Sequence, residues 1–207
     1  MEIMLLGTRA SGKTSFMDAS KVMLSKGYRG YYTDELDFVR KIKVGKKLRK
    51  GEYRTTINTN QYSMSIQKGR IFRREAGAIK WVDYRGESIE FDEAYWIQDA
   101  MEESDGVILF IDANLYESSR MTALHYLDLL FGIVNKLEFN NPPLAIVLTK
   151  CDMIDMQPHD LLANIMEEVD QRLNIQLNFE IFTSSIKDRK NHPPAKPLIW
   201  LYREISR

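Results

Sequence analysis

The segment LLGTRASGKT, residues 5–14, joins an apolar run to two glycines, a lysine and a hydroxyl residue at fixed spacing. It fits G-x-x-x-x-G-K-[ST] at every fixed position. A strand-like run (residues 3–6) precedes it, and apolar residues at close to helical spacing follow it (residues 13–25). The glycines let successive backbone N–H groups turn towards an anion at the start of a helix. The segment therefore predicts a strand, a phosphate-binding loop and a helix.

Each polar position of this loop has an expected role. Lys13 is predicted to reach the β- and γ-phosphates of a nucleotide, and the Thr14 hydroxyl to bind Mg²⁺. The remaining loop residues that we predict to bind the nucleotide are Gly7, Arg9, Ala10, Ser11, Gly12 and Ser15. The loop alone does not distinguish ATP from GTP, or a kinase from a hydrolase.

Strand-like and helix-like segments alternate along the rest of the chain. The strand-like runs are 3–6, 62–73, 79–82, 105–114, 144–149 and 179–183. The helix-like stretches are 13–25, 91–103, 121–137, 161–173 and 198–205. This alternation predicts the three-layer α/β fold of a P-loop NTPase domain, with a mostly parallel six-stranded sheet and helices on both faces. With 207 residues, a single domain over 1–207 is expected.

Composition narrows the class of protein. The chain has 29 basic and 29 acidic side chains, so its net charge gives no argument for binding nucleic acid or a membrane. Its one cysteine, Cys151, excludes a disulfide framework and fits a reducing compartment. No apolar run approaches the roughly 20 residues that a transmembrane helix needs, and the start of the chain has no signal-peptide pattern. We expect a cytoplasmic protein.

A second motif bears on the choice of base. Thr149-Lys150-Cys151-Asp152 follows a strand-like run that reads as buried. The Asp152 carboxylate can accept hydrogen bonds from N1–H and the exocyclic amine of guanine, a donor pair that adenine lacks. The aliphatic stem of Lys150 can lie along the base. Ser184 and Ser185 follow the last strand, where a backbone N–H near Ser185 can donate to guanine O6. Thr149, Lys150, Asp152, Ser184 and Ser185 are thus predicted to bind guanine nucleotides.

Two further segments are candidates for sensing the γ-phosphate. In WVDYRGE, residues 81–87, Asp83 would hold Mg²⁺ through water and the Gly86 N–H would contact the γ-phosphate. In KGEYRTTINT, residues 50–59, a threonine would offer its hydroxyl to Mg²⁺ and its N–H to the γ-phosphate. Thr56 is our choice, and Thr55 and Thr59 stay open. The predicted metal residues are therefore Thr14, Thr56 and Asp83. Loss of the γ-phosphate would release both segments, which defines a switch.

Taken in order, these motifs resemble those of the Ras-like small GTPases of the TRAFAC class. The resemblance rests on the loop at 7–14, a threonine near 56, Asp83-x-x-Gly86, Thr149-Lys150-x-Asp152 and the TSS stretch at 183–185. LRKGEYRTT followed by VDYRGE resembles the bacterial double-GTPase relatives. The resemblance implies GTP binding with Mg²⁺, slow hydrolysis of GTP to GDP and nucleotide-dependent partner binding.

The chain departs from this pattern in ways that keep alternatives open. Glu87 stands where Ras-like enzymes usually have a glutamine that orients water, and its charge repels the γ-phosphate unless it is paired or protonated. Lys13, Thr56 and Glu87 are the predicted catalytic residues, and Arg9 or Arg85 is either an arginine finger in cis or a solvated or paired arginine. The alternatives are a non-hydrolysing GTP/GDP-binding scaffold subunit and, more weakly, an ATPase or kinase.

Partner binding is predicted at three segments. An effector or regulator would contact residues near 50–60 and 83–95. Residues 40–50 carry seven basic side chains in eleven, which suits an acidic partner, a lipid surface or nucleic acid. The alternative for this basic segment is a solvated helix or loop.

Overall fold

The described part of the chain contains eight strands and six helices. The computed structural model describes residues 1–33, 36–45, 56–69, 74–83, 94–137 and 141–207. The strands are β1 (Glu2–Gly7), β2 (Tyr31–Tyr32), β3 (Leu36–Gly45), β4 (Thr56–Lys68), β5 (Arg74–Asp83), β6 (Gly106–Asp112), β7 (Leu144–Thr149) and β8 (Phe179–Thr183). The helices are α1 (Lys13–Ser25), α2 (Ala94–Glu102), α3 (Ala113–Ser118), α4 (Arg120–Val134), α5 (Pro158–Arg172) and α6 (Ala195–Ile205).

The strands form one sheet in the order β2-β4-β5-β1-β6-β7-β8, with β3 also paired to β4. From β5 to β8 every pairing is parallel, whereas β4 is antiparallel to β5 and to both β2 and β3. The mostly parallel sheet is therefore confirmed. It contains two strands beyond the six predicted, because β2 is very short and β3 carries charges that obscure a strand pattern.

Strand β3 also corrects the description of the basic segment 40–50. Residues 40–45 of this segment lie in β3 and pair with β4, from Arg40↔Gln61 to Gly45↔Thr56, so they form neither a helix nor a loop. Residues 46–50 lie outside the described residues. The strand predicted over 62–73 begins and ends earlier in the structure: β4 begins at Thr56 and ends at Lys68, just before Gly69.

Helices cover both faces of the sheet, as predicted. Alternate residues of β1 point to opposite faces: Met4 and Leu6 pack in the core that includes α2, α4 and α5. Ile3 and Leu5 pack in the other core, against α1 and α6. All four side chains are at most 1% exposed. The apolar run of β1 therefore reflects a strand buried on both faces.

The parallel register brings several predicted site residues to one edge of the sheet. Gly7 ends β1 opposite Phe110 of β6, and Asp112 pairs with Thr149 at the ends of β6 and β7. In open α/β sheets, ligands bind outside the carboxyl ends of the strands. None of the helices in the described ranges is long and apolar enough to span a membrane.

Candidate nucleotide-binding site

The loop between β1 and α1, which the sequence predicts to bind phosphate, is tight and closely packed. A Cβ at Gly7 would lie 2.8 Å from Ser11 Oγ and 2.9 Å from Phe110 Cβ, so a larger residue does not fit without movement. Ala10 and Gly12 have φ angles of 60° and 88°, in the left-handed region. Two such residues within a short loop turn the chain tightly into the first turn of α1.

The side chain of Lys13 folds back against the backbone of the loop. The Lys13 ammonium donates hydrogen bonds to Gly7 O at 2.8 Å and Thr8 O at 3.0 Å, and the side chain is buried. A buried ammonium is stabilised further by an anion placed beside it. Arg9 is exposed in the loop, and Thr14 and Ser15 are exposed on the first turn of α1.

Thr149 ties the phosphate loop to the sheet. Its hydroxyl donates a hydrogen bond to Ser11 O at 2.7 Å and lies 3.3 Å from Ile111 O. The residue is buried at the end of β7. The sequence placed Thr149 among the nucleotide-binding residues, and its geometry gives it a positioning contact with the loop that would hold the phosphates.

Asp152 is fixed in place by the strand–helix connection after β8. The Ser185 hydroxyl donates to Asp152 Oδ1 at 2.7 Å, and Lys187 Nζ lies 3.8 Å from Oδ2. The same hydroxyl oxygen accepts the N–H groups of Lys187 at 3.1 Å and Asp188 at 2.9 Å. The carboxylate is therefore held by side chains at a partly buried position, with 14% of its side chain exposed.

The backbone N–H groups that follow β8 differ in whether they already donate a hydrogen bond within the protein. The Ser184 N–H donates to Leu148 O at 2.7 Å, and the Ser185 N–H donates to His192 O at 3.1 Å. The next N–H, that of Ile186, donates to no acceptor among the described residues. Sequence reasoning did not name Ile186, although its place directly after the serine that holds Asp152 is a usable signal.

A cavity of about 200 Å³ extends from the phosphate loop to Asp152 and the residues that follow β8. It is lined by Gly12, Phe16, Thr149, Lys150, Asp152, Met153, Ser184, Ile186 and Lys187. Met153 and Ile186 are about half exposed, at 54% and 49%. These apolar side chains, also missed from the sequence, give the cavity surfaces against which a planar ring can pack beside a carboxylate.

The cysteine next to Asp152 is buried. Burial raises the pKa of the Cys151 thiol to about 11, so the thiol stays protonated at neutral pH. Its sulfur lies 3.1 Å from Leu148 O, to which the S–H donates. Cys151 therefore serves as a buried packing residue directly after β7, and we assign it no role in the cavity.

The backbone register locates Asp83 and the candidate switch threonines. Asp83 ends β5 opposite Leu5 of β1 and Asn60 of β4, close to the start of the phosphate loop. Thr59 precedes Asn60 directly, whereas Thr56 lies four residues away, roughly 14 Å along an antiparallel strand. Along β4, Thr59 is therefore nearer than Thr56 to the position that pairs with Asp83.

Several predicted residues are not placed by the structure. Thr55, Arg85, Gly86 and Glu87 lie outside the described residues, as do parts of the segments 50–60 and 83–95. Across the described ranges, no group of three or more His, Cys, Asp or Glu side chains could hold a metal ion.

Comparison with solved structures identifies the fold. A GTP-binding protein from the archaeon Sulfolobus solfataricus, solved with GDP, matches 99% of this chain with 16% identity and a TM-score of 0.55. The chain spans 53% of the length of that protein. The small GTPase Arl6 (BBS3) of Trypanosoma brucei, solved with the analogue GppNp, matches all of this chain and 97% of its own, with 13% identity and a TM-score of 0.51. No protein-family model and no curated protein sequence matches. The chain thus has the fold of P-loop GTPases.

Proposed function

We propose that this chain is a guanine-nucleotide-binding switch that hydrolyses GTP to GDP with Mg²⁺. The observation that carries the proposal is the Asp152 carboxylate, held by Ser185 at a cavity that reaches Gly12 of the phosphate loop. The two matched structures add support, because one was solved with GDP and the other with a nucleotide analogue.

Guanine satisfies the polar groups of this cavity. Its N1–H and exocyclic amine would donate to the two Asp152 oxygens, and its O6 would accept the Ile186 N–H. Adenine offers an acceptor at N1 where the carboxylate needs a donor, so it would leave buried polar groups unpaired. The stems of Lys150 and Lys187, which line the same cavity, would pack against the base. An ATPase or kinase is therefore the weaker alternative.

The residues at the phosphate side suit a magnesium nucleotide. Mg²⁺ prefers oxygen ligands, and the Thr14 hydroxyl follows the loop while Asp83 ends the strand beside β1. These two residues and a switch threonine, Thr56 or its neighbours Thr55 and Thr59, would hold the ion, which neutralises charge on the β- and γ-phosphates. Lys13 would add a positive charge at the same phosphates, the Gly86 N–H would contact the γ-phosphate, and Glu87 would position water.

A second candidate is a subunit that holds GTP or GDP without turnover, favoured by the carboxylate of Glu87 in place of a water-orienting amide. In both cases the partners would bind near 50–60 and 83–95, and an acidic partner would bind the basic segment 40–50. A single domain over 1–207 and a cytoplasmic location also belong to the proposal. Measurement of turnover separates the two candidates.

Exchange of the Asp152 carboxylate for an amide tests base recognition. Wild-type protein should bind GDP and discriminate against ADP and XDP. The Asp152→Asn variant should lose GDP affinity by roughly 100-fold, because hydrogen bonds to a charged group are worth about 1.5–3 kcal/mol each. It should gain affinity for XDP, whose C2 carbonyl can accept from the new amide.

The matched control is Asp170→Asn, an exposed carboxylate of α5, which should leave base preference unchanged. Titration with fluorescent nucleotides and competition by GDP, ADP and XDP give the affinities. A wild-type preference for ADP, or an Asp152→Asn variant with unaltered guanine preference, would contradict the assignment.

A further inference from the structure

Two acidic residues beside the site hold the loop that carries Asp152. This base-recognition loop comprises residues 150–156. One of the two acids, Asp112, ends β6, and the other, Glu117, lies in the helix α3 that follows it. We propose that Asp112 and Glu117 are positioning residues that set the guanine selectivity of the site through this loop. The inference rests on the proposed function and deepens it.

Asp112 holds the first residue of the loop. It is the last residue of β6 and the N-cap of α3, where its Oδ1 accepts the Leu115 N–H at 3.1 Å. Its Oδ2 forms an ion pair with Lys150 Nζ, and the Asp112 and Lys150 side chains are 12% and 30% exposed. Lys150 has a φ angle of 59°, a left-handed conformation that costs a non-glycine residue free energy. The ion pair therefore fixes both the strained start of the loop and the direction of the lysine stem that lines the cavity.

Glu117 holds the other end of the loop. Its Oε1 accepts the Met156 N–H at 2.7 Å, and both of its carboxylate oxygens lie 3.1 Å from the Asp155 N–H. Hydrogen bonds from backbone N–H groups to a carboxylate are charge-assisted and shorter than neutral ones. One side chain on α3 thus fixes two consecutive peptide groups that are about forty positions away in the sequence.

Asp152 lies between these two anchors. The Met153 N–H donates to Lys150 O at 2.9 Å, so the chain around Asp152 forms a turn. This turn begins at the residue paired with Asp112 and ends two residues before the first peptide group held by Glu117. Guanine would make two hydrogen bonds with Asp152, which requires both carboxylate oxygens to face the base edge. Ordering the loop before the nucleotide arrives removes an entropy cost from binding. The anchors should therefore contribute more to binding a base that uses both oxygens than to one that uses a single oxygen.

Comparison of GDP with IDP isolates this effect. Hypoxanthine keeps N1–H and O6 but lacks the exocyclic amine, so it would make one hydrogen bond with Asp152 where guanine makes two. Asp112→Asn removes the charge that pairs with Lys150 and retains a good N-cap for α3. Glu117→Ala removes the acceptor for the Asp155 and Met156 N–H groups. Each variant should lose about tenfold in GDP affinity and only about threefold in IDP affinity, since the loss of one hydrogen bond corresponds to roughly a tenfold change.

Two further variants make the result specific to the loop. Glu117→Gln keeps an acceptor oxygen and should restore most of the GDP-to-IDP preference. Glu167→Gln changes an exposed glutamate of α5 and should leave the affinities for both nucleotides unchanged. Circular dichroism and thermal unfolding test whether each variant is folded. If Glu117→Ala does not fold, the comparison of GDP with IDP is made with Glu117→Gln, which should then show a smaller loss of GDP affinity in the same direction.

The outcomes separate this inference from the proposed function. Equal losses of GDP and IDP affinity in Asp112→Asn and Glu117→Ala, or no losses at all, would overturn the positioning role. Such a result leaves guanine recognition by Asp152 intact, provided that Asp152→Ala abolishes the GDP-to-IDP preference of the wild type. A wild-type protein that does not prefer GDP to IDP would overturn the proposed recognition by Asp152, and the positioning role with it.

Discussion

Thr149, which the sequence predicts to bind the nucleotide, contacts the predicted phosphate loop. Its hydroxyl donates to Ser11 O in the phosphate loop, and its backbone is paired in the sheet with Asp112, the last residue of the neighbouring strand β6. The phosphate loop is thus tied to the end of β7, and the base-recognition loop is tied to the end of β6 through the ion pair of Lys150 with Asp112. Because the Ser11 carbonyl accepts this bond within the loop itself, the contact bears on how precisely the loop presents its N–H groups.

Removal of this hydroxyl should loosen the loop. In Thr149→Val the shape is kept, but Ser11 O loses its donor at a buried position, which should lower the free energy of unfolding by about 1–3 kcal/mol. GDP release should become faster as well. Denaturant titration and displacement of a fluorescent nucleotide measure the two effects. Thr149→Ser keeps the hydroxyl and should recover most of both, whereas a Thr149→Val variant equal to wild type would show that the bond has no such role.

At the scale of secondary structure elements, Glu168 of α5 connects three helices. Its carboxylate contacts Arg120 at 2.9 Å, Arg172 at 2.6 Å and the Tyr116 hydroxyl at 3.5 Å. Arg172 also pairs with Asp128 of α4 at 2.7 Å. Burial acts to raise the Glu168 pKa, but hydrogen bonds from Arg120 and Arg172 outweigh it and lower the pKa below its usual value. The charged form of Glu168 therefore stabilises the packing of α3 and α4 on α5.

This network should make stability depend on pH in the acid range. Since the pKa of Glu168 is lower in the folded state, its contribution is present above the ordinary glutamate pKa near 4.5 and is lost as pH falls through the lowered value. Glu168→Gln should reduce the free energy of unfolding by about 1–3 kcal/mol at pH 7. The difference from wild type should shrink below about pH 4. Denaturant titrations between pH 3 and 7 measure it, with Glu167→Gln as the neighbouring control. A difference that does not change with pH would exclude this role.

The sequence predicted those elements whose residues interact locally or are buried on both faces. Helix α1 has the predicted bounds, and the apolar run in β7 coincides with its strand, because the phosphate loop and continuous apolar runs are local signals. Strand β3 was missed because its basic side chains do not alternate clearly with apolar ones, and its pairing with β4 is a tertiary contact.

The same limit applies to the candidate site. Gly7, Lys13, Thr149 and Asp152 were placed together from motif spacing, and the structure brings them to one edge of the sheet. The role of Glu117 could not be predicted, because its partners are far away in sequence and are backbone N–H groups of no particular residue type.

For the whole molecule, the sheet brings the residues to which we assign a part in the proposed turnover to one edge. The phosphate loop follows β1, and Asp83 ends the neighbouring β5. Strand β4 pairs with β5, so two of the candidate switch threonines, Thr56 and Thr59, lie on the next strand of the sheet. The β3–β4 ladder includes Thr56 and Thr59, opposite Gly45 and Ile42. A threonine that exchanges this ladder for a γ-phosphate contact would couple the nucleotide state to the edge of the sheet.

Single-turnover hydrolysis decides between a switch and a static subunit. Protein in excess over GTP and with Mg²⁺ should release phosphate at about 10⁻⁴–10⁻² per second, the range of P-loop GTPases acting without a partner. Glu87→Ala should slow this rate, because the carboxylate would no longer position water. Lys13→Ala should not bind GTP, so any phosphate that its preparation releases measures contamination. GTP that stays bound and intact for many hours in the wild type would favour the non-hydrolysing subunit, and a rate unaffected by Glu87→Ala would assign the positioning of water to another group.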